Sequence, residues 1–276
     1  LRTSPLVAQL LCNRGLRDLD AARAFRQPKL TDLHDPADLP GCEDAARRLA
    51  AAVRASKPIV IYGDYDVGAM AAVAILHAAL RMVEAPVDFY IPHRLDEGYG
   101  LSEEAVDRIV ADGAKLIVTV DCGVSASGPV RRAVDAGVEV IVTDHHAPPA
   151  ELPPAEGIVH PMLGDYPNPD LCGAGVALKL AWQLMRELCG ASRVDEPMRD
   201  FLLDATCLAA MGTIADVVSL LGENRALAAH GLQGLRQCRH AGLRALLRSA
   251  NLTDTRLDSY HVGFVLAPRL NACGRM

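Results

Sequence analysis

Apolar and polar positions along this chain form two patterns that alternate between about residues 41 and 160. Short runs that are almost wholly apolar and rich in Val and Ile alternate with longer segments in which apolar residues recur every three to four positions. The first pattern is typical of strands buried on both faces of a parallel sheet, and the second of helices that cover such a sheet. Strands are expected at 59–63, 87–91, 116–120, 138–143 and 157–160.

Helices are expected in the intervening segments, and from about residue 173 the chain becomes wholly helical. The helix over 102–112 has a clear start, since Ser102 can cap it and Glu103 and Glu104 stand in its first turn. The pattern therefore predicts an α/β fold with a parallel sheet of about five strands, flanked by helices and followed by a helical region. The other helices between the strands are expected at 43–56, 70–83 and 127–136.

The length of 276 residues favours more than one structural unit. We expect an N-terminal helical segment over 1–40 and an α/β catalytic domain over 41–220. The helical region over 221–276 is expected to connect to a C-terminal domain outside this chain.

Composition narrows the class of protein. Half of the residues are hydrophobic and the net charge is -6, so a sizeable core can form but no global basic field exists. Any nucleic-acid contact must therefore use a local patch. The eight cysteines form no CxxC pair, which argues against structural zinc and favours free thiols in a reducing cytosol. No apolar run reaches about 18 residues, so we expect a cytoplasmic protein with no membrane partner.

Three of the predicted strands run directly into metal-binding side chains. The carboxyl ends of parallel strands meet at one edge of a sheet, where ligands bind. Carboxylates with imidazoles and no thiolate pair suit Mn²⁺ or Mg²⁺, and the histidines favour Mn²⁺. A divalent cation would also relieve the mutual repulsion of the acids. The side chains placed at this edge are those of Asp64, Asp66, Asp121, Asp144, His145 and His146.

Several motifs in sequence order resemble the DHH phosphoesterase superfamily: GDYDV, VDCGVS, TDHH, GAGVALKL and GTIADVVSL. IPHRLDEGYGL and APRLNACGRM make the chain most similar to the bacterial branch of 5′→3′ exonucleases specific for single-stranded DNA, over roughly residues 41–276. The resemblance implies the DHH fold and hydrolysis of phosphodiester bonds by a two-metal mechanism in DNA repair and recombination. It also implies single-stranded DNA as partner, a single-strand-binding protein and a helicase as further partners, and a monomer.

The resemblance assigns roles to individual residues. It implies that Asp121 bridges two ions and that His146 contacts the scissile phosphate, which makes both catalytic. Asp64 should ligate or orient, and Asp144 and His160 should position the ligands rather than bind metal. The implied metal ligands are Asp64, Asp66, Asp121, His145 and Asp216.

Further residues would hold the substrate. Arg94, which follows the strand at 87–91, is the first candidate for a phosphate contact, with an ion pair to an acid at 96 or 97 as the alternative. Gly173 and Gly175 precede a helix whose free N–H groups could cradle a phosphate; close helix packing is the alternative. The resemblance adds Arg269, Asn271 and Arg275 as a second phosphate-binding group, with Asn271 alternatively serving the backbone.

One position departs from the resemblance. The pattern at the first strand end is DYDxDG, but this chain reads DYDVGA, so that Gly68 stands where a third acid is normally a metal ligand. One of the two metal sites is therefore weakened, and we expect impaired hydrolysis in this chain.

Two alternatives to an exonuclease remain open at this stage. The chain could be a catalytically decayed module that binds single-stranded DNA, which Gly68 favours and the other intact ligands oppose. It could also be another DHH phosphodiesterase that acts on short oligonucleotides.

Overall fold

The computed structural model of the protein describes residues 3–273. It confirms the predicted α/β architecture. The four predicted helices between the strands all form, with ends within three residues of the predicted ones. The helices are α1 Pro5–Asn13, α2 Leu19–Arg26, α3 Cys42–Arg54, α4 Val67–Met82, α5 Glu103–Ala111, α6 Ser127–Asp135, α7 Gly173–Cys189, α8 Glu196–Ala215, α9 Gly222–Gly234, α10 Ala241–Ser249 and α11 Ala267–Cys273. Single 3-10 turns occupy Leu30–Asp32 and Pro36–Asp38, and a π-helical segment, His261–Leu266, leads into α11.

The five strands form one fully parallel sheet in the order β2-β1-β3-β4-β5. The order reverses between β1 and β3, which creates a crevice beyond their carboxyl ends. The loops that follow these two strands are therefore the loops that can enclose a ligand. The strands are β1 Ile59–Gly63, β2 Val87–Tyr90, β3 Leu116–Val120, β4 Glu139–Thr143 and β5 Gly157–Val159.

The sheet separates two hydrophobic layers. Neighbouring residues of a strand point to opposite faces, so Val118 belongs to one layer and Ile117 to the other. The first layer is built by α3, α4, α7 and the later helices, and the second by α5 and α6. The first layer continues as far as Ala267, so the helical region packs on the α/β core. The division of the chain at residues 40 and 220 stays a prediction.

Burial of the strands differs from the expectation at one edge. β1, β3 and β4 are covered on both faces, but β2 is an edge strand, and its Phe89 is 49% exposed. The prediction that all strands are buried on both faces is therefore wrong for β2. Its apolar run resembles those of the inner strands, and only the strand order reveals that one side lacks a cover.

A buried ion pair connects the N-terminal segment to two helices. Lys179 of α7 pairs with Glu223 of α9, and both side chains are at most 1% exposed. The ammonium also donates to the carbonyl of His34, and Glu223 accepts the backbone N–H of His34 at 3.0 Å and the hydroxyl of Tyr166 at 2.8 Å. These contacts satisfy both buried charges.

Two further expectations concern the whole chain. Over residues 3–273, no helix is both long enough and apolar enough to cross a bilayer. Every cysteine that the structure describes is a free thiol, as expected from the absence of paired spacings.

Candidate metal centre

Asp121 follows β3 on a turn that holds its backbone in the left-handed region. Its φ is +59°, a conformation that costs most residues energy and that Asp tolerates better than most. Thr119, near the end of β3, braces the turn, because its hydroxyl donates to the carbonyl of Cys122 at 2.8 Å. The carboxylate of Asp121 is thereby held beside the β1–β3 crevice, and the residue is only 3% exposed.

His145 and Asp216 approach Asp121 from two other elements. His145 lies on the loop after β4, and Asp216 is the C-cap of α8. The Nε2 atom of His145 lies 3.1 Å from Oδ1 of Asp121 and 3.4 Å from Oδ2 of Asp216. Among the described residues these three buried atoms have no hydrogen-bond partner. Buried polar atoms are normally satisfied, so three unsatisfied atoms that face one another indicate a common ligand between them.

His146 is oriented by a carboxylate behind it. Its Nδ1 atom lies 2.7 Å from Oδ1 of Asp144, which also accepts the backbone N–H groups of His145 and His146. The second oxygen of Asp144 accepts the N–H of Val124 at 2.9 Å. Because both oxygens are engaged, Asp144 orients the histidine pair. One ligand atom each from His146, His145 and Asp121 can be chosen so that all lie within 4.8 Å of one another.

His160 supports the loop after β4 that carries His146. Its Nδ1 atom accepts the N–H of Met162 at 3.1 Å, so its proton lies on Nε2, which is 2.8 Å from the carbonyl oxygen of His146. Burial lowers the pKa of His160 and keeps this ring neutral. The contact fixes the backbone of His146, in keeping with the positioning role expected for His160.

Asp66 and Asp64 lie at the end of β1 but differ in what they can still bind. One oxygen of Asp66 caps α4 by accepting the N–H of Ala69 at 2.9 Å, which leaves the other oxygen for a ligand. Both oxygens of Asp64 are occupied, by the N–H of Tyr65 at 2.7 Å and that of Gly100 at 2.8 Å. Each oxygen keeps a further lone pair, so both roles predicted for Asp64, ligation and orientation, stay predictions.

Glycines allow helices to approach the carboxylate of Asp121. A Cβ atom on Gly173, the first residue of α7, would lie 1.9 Å from Oδ1 of Asp121. A Cβ atom on Gly175 would lie 2.4 Å from a methyl group of Leu171. Both contacts match the alternative of close packing for the Gly-Ala-Gly segment, and the predicted phosphate cradle stays a prediction.

Gly68, in the first turn of α4, lines the site beside Asp121 and Asp66. A Cβ atom on Gly68 would lie 2.5 Å from Oδ2 of Asp121 and 3.3 Å from Oδ1 of Asp66. A side chain at this position would therefore project into the carboxylate cluster. Glycine contributes no donor there.

Burial and the grouping of charges shift the acid–base equilibria of the site. Burial raises the pKa of Asp121 to about 6, and it also raises the pKa of Asp216. Burial opposes the charging of His145, but the neighbouring carboxylates outweigh it and raise its pKa. The hydrogen bond that its ring donates to Asp144 raises the pKa of His146 to about 9. An uncompensated buried acid of this kind is stabilised in its charged form by a bound cation.

Arg94 and two tyrosines form a platform beside the acids. The guanidinium of Arg94 lies 4.7 Å from the centre of the Tyr65 ring, and Tyr65 meets Tyr99 edge to face with ring centres 6.1 Å apart. Tyr99 is 59% exposed, and its pKa is raised first by partial burial and then by Asp66 and neighbouring acids. The platform therefore presents flat rings and a cation to whatever binds at the acids.

The two acids considered as alternative partners of Arg94 pair with other residues. Asp96 pairs with His93 at 2.8 Å, and Glu97 lies 3.5 Å from Arg108. Arg94 instead lies within the field of the acids, since its charge acts to lower the pKa of Asp64. A phosphate contact by Arg94 stays a prediction.

The second predicted phosphate-binding group lies on α11. Arg269 donates to the carbonyl of Val265 at 2.6 Å, and the Oδ1 atom of Asn271 is buried without a hydrogen bond among the described residues. Arg275 lies outside the described residues. The role of this group stays a prediction.

Sequence patterns missed two residues at the site. Tyr99 was part of a recognised segment, yet only the structure places its exposed ring beside the acids. Val217, the residue after Asp216, is 85% exposed and has a φ of +61°. A β-branched residue rarely adopts this conformation, and such strain clusters at functional sites. The available signal in the sequence was an apolar residue, Val217, directly after the predicted ligand Asp216.

The donor set fits a hard divalent cation. Nε2 of His145 lies beside carboxylate oxygens of Asp121 and Asp216. His146 joins Asp121 and His145 in one group of close ligand atoms, and none of these donors is a thiolate. Oxygen with imidazole suits Mn²⁺, and oxygen alone suits Mg²⁺. The three unsatisfied atoms of the cluster supply the structural support for such an ion.

A parallel sheet of this order with a carboxylate–imidazole cluster at its switch point defines an α/β protein with a divalent-cation centre. The chain belongs to the DHH family, whose N-terminal domain matches residues 58–210.

The curated relatives that match this chain are all named RecJ. The chain is 42% identical over its whole length to the single-stranded-DNA-specific exonuclease RecJ of Bacillus subtilis, of which it covers 34%. A crystal structure of exonuclease RecJ bound to manganese matches 86% of this chain and 58% of that protein, with 40% identity and a TM-score of 0.76. RecJ of Thermus thermophilus, solved in complex with Mn²⁺ and in complex with Mg²⁺, matches the whole chain with TM-scores of 0.79 and 0.68 and identities of 34% and 31%. The chain spans 40% and 37% of the Thermus chains.

Proposed function

We propose that this chain is the catalytic part of a metal-dependent exonuclease that hydrolyses phosphodiester bonds of single-stranded DNA. The observation that carries the proposal is the group of three unsatisfied buried atoms on Asp121, His145 and Asp216 at the switch point. The similarity to RecJ over the full length of the chain supports the substrate, because that protein is named for single-stranded DNA.

Different residues of the site would have different roles in hydrolysis. Divalent cations held by predicted ligands would supply charge stabilisation and a nucleophile at neutral pH. These ligands are Asp64, Asp66, Asp121, His145 and Asp216. The hydrogen bond that the His146 ring donates to Asp144 raises the pKa of His146 to about 9 in the absence of an ion. When protonated, its Nε2–H would donate to an oxygen of the scissile phosphate.

Substrate would be held outside the cation centre. Arg94 faces the acids from the Tyr65–Tyr99 platform, and a guanidinium is well suited to bind a phosphate oxygen. The exposed ring of Tyr99 could accept a base by stacking, which does not depend on sequence. Gly173, Gly175, Arg269, Asn271 and Arg275 remain predicted substrate contacts, because no described contact tests them.

The finer properties follow the resemblance. We infer 5′→3′ polarity, a role in DNA repair and recombination, a monomeric protein in the cytoplasm, and a single-strand-binding protein and a helicase as partners. The domain division at residues 40 and 220 belongs to the same set of proposals.

Gly68 weakens the proposed activity. It leaves the wall beside Asp121 and Asp66 without the carboxylate that the family pattern has there. Hydrolysis should therefore be slower than in a chain with Asp at position 68. The remaining donors are intact, which favours a slow enzyme over a pure binding module.

The test is degradation of a labelled single strand in Mn²⁺. Oligonucleotides labelled at the 5′ or the 3′ end are incubated with the full chain, and a blunt duplex and a dinucleotide serve as competing substrates. We expect slow cleavage of the single strand, abolished by EDTA and by Asp121→Asn and increased by Gly68→Asp. Binding of the single strand with no cleavage by either the wild type or Gly68→Asp would instead show a binding module. Preference for the dinucleotide would show a phosphodiesterase of short substrates.

A further inference from the structure

An apolar cavity lies between the N-terminal segment and the adjoining ends of α7 and α8. Its volume is about 520 Å³, and small-molecule sites occupy about 300–1,000 Å³. Leu203, on α8, lines the cavity and is 46% exposed. Apolar surface of this kind gains free energy when an apolar ligand covers it. The large apolar side chains of the wall are Leu30, Leu33, Leu178, Trp182, Leu202 and Leu203.

The cavity is separate from the cation centre, although the same two helices reach both. α7 begins at Gly173, which packs against Asp121, and α8 ends before its C-cap Asp216. A helix rises about 1.5 Å per residue, so Trp182 lies about 14 Å along α7 from Gly173. By the same measure Leu202 lies about 21 Å along α8 from Asp216. A molecule in the cavity would therefore not contact the cation centre.

The charged side chains that line the cavity are all arginines. The guanidinium of Arg186 lies 4.7 Å from the centre of the Trp182 ring, and its Nη1 atom lies 2.6 Å from a carboxylate oxygen of Asp35. Arg199 makes only long, exposed contacts with acids of its own helix, at 3.5 and 3.7 Å, and such pairs are weak. The guanidinium of Arg193 has no ion pair among residues 3–273. The rim of the cavity therefore complements an anion, and its wall complements an apolar body.

We propose that this cavity binds a small amphiphilic anion, whose apolar body covers the leucines and Trp182 and whose acidic group contacts Arg193 and Arg186. A guanidinium presents paired N–H groups that match the oxygens of a carboxylate or a phosphate. An alkyl carboxylate is the simplest molecule with both parts. Binding there needs neither DNA nor a metal ion, so this inference is independent of the proposed hydrolysis.

The probe is decanoate, titrated into the full chain in EDTA without DNA. Trp182 is the one tryptophan of the chain, so its emission reports on the cavity, and calorimetry gives the stoichiometry and the affinity. We expect one decanoate per chain and a saturable change in emission. Affinity should rise about fourfold for each methylene from hexanoate to decanoate, because each buried CH₂ contributes that factor.

Two further probes carry the same tail with other head groups. Decyl phosphate should also bind, and the tighter of the two anions identifies the preferred acid. Decyltrimethylammonium should not bind, because the charged side chains of the rim are cationic.

Variants test the two parts of the cavity separately. Arg193→Gln should weaken decanoate binding about tenfold, because a charged hydrogen bond is lost. Its matched control is Arg131→Gln, which changes another exposed arginine on α6, across the sheet, and should leave the affinity unchanged. Leu203→Asp should abolish binding by placing an acid in the apolar wall. Its control is Leu6→Asp on α1, where the leucine is 71% exposed and lies outside the cavity.

Three results would overturn the proposal. They are the absence of saturable calorimetric binding of either anion, equal affinity for decyltrimethylammonium and decanoate, and wild-type affinity in a folded Arg193→Gln or Leu203→Asp protein. If Leu203→Asp fails to fold in urea titrations, Arg193→Gln and the dependence on chain length decide. A dimer of the ligand-free chain that Leu203→Asp dissociates, seen by sedimentation, would also overturn the proposal, because the cavity would then be an interface between copies.

Discussion

Gly173→Ala should remove the cation from the site, although it replaces none of the predicted metal ligands. The first residue of α7 packs against Asp121 so closely that an alanine Cβ would lie 1.9 Å from Oδ1, 2.3 Å from Cγ and 2.6 Å from Cβ of that residue. A Cβ atom does not approach another heavy atom within about 3.0 Å, so Asp121 must retreat by about 1 Å.

A shift of this size is large for a metal ligand. Coordination distances vary by only about 0.2 Å, so a displacement of about 1 Å removes Asp121 from the sphere. Loss of partners that merely orient a ligand already costs about 10–100-fold in affinity. We therefore expect affinity for Mn²⁺ to fall at least about 100-fold, which is about 2.7 kcal/mol. Crowding should also reduce the free energy of unfolding by about 1–3 kcal/mol.

Calorimetric titration with Mn²⁺ and urea unfolding in EDTA separate the two effects. Gly175→Ala is the matched control, because it makes the same change two residues later and its Cβ would meet Leu171 at 2.4 Å instead of a ligand. That variant should lose a similar amount of stability and keep its affinity for Mn²⁺. Wild-type affinity for Mn²⁺ in a folded Gly173→Ala protein would refute the placement of Asp121 in the metal centre.

Three further predictions concern charge and strain. Burial raises the pKa of Asp121 from 3.8 to about 6, so the native state of the metal-free protein holds the extra proton and loses about 3 kcal/mol of stability as the pH rises from about 4 to about 6. Asp121→Asn should reduce that decline in urea unfolding measured in EDTA, leaving the part due to Asp216, whose pKa burial also raises; an unchanged slope would contradict the assignment. Val217→Asn should raise the free energy of unfolding by about 1 kcal/mol, because Asn tolerates a positive φ better than an exposed Val does; a lower unfolding midpoint would show that the strain is absent. Lys179→Met should cost about 3–5 kcal/mol by leaving Glu223 charged and buried, and adding Glu223→Gln should recover part of it; equal losses in the single and double variants would argue against this ion pair.

Strands could be located from the sequence because their apolar runs are continuous and interrupted by helical segments. The bounds of β1 and β3 agree with the prediction at both ends. The start of α4 was predicted three residues late, since Val67 and Gly68 have low helix propensity. The Asp66 side chain supplies the cap that starts the helix earlier. Because Asp66 was expected to bind metal, its second role as the cap of α4 was not predicted.

Only part of the candidate site could be predicted from the sequence. Parallel strands deliver their ends to one edge, so the grouping of Asp121 with His145 follows from the strand pattern. Asp216 is different, because no local pattern shows that the end of α8 returns to the sheet. Its position was expected from family resemblance alone. The occupation of Asp64 by the backbone of Gly100, and the space that Gly173 leaves for Asp121, depend on contacts between distant segments.

The most direct test of the account is an anomalous difference map from a crystal of this chain soaked in Mn²⁺. The account predicts a peak within about 2.0–2.3 Å of Oδ1 of Asp121, Nε2 of His145 and Oδ2 of Asp216, the three atoms that lack partners among the described residues. A well-ordered crystal without a peak there, or with its strongest peak bound elsewhere, would contradict it.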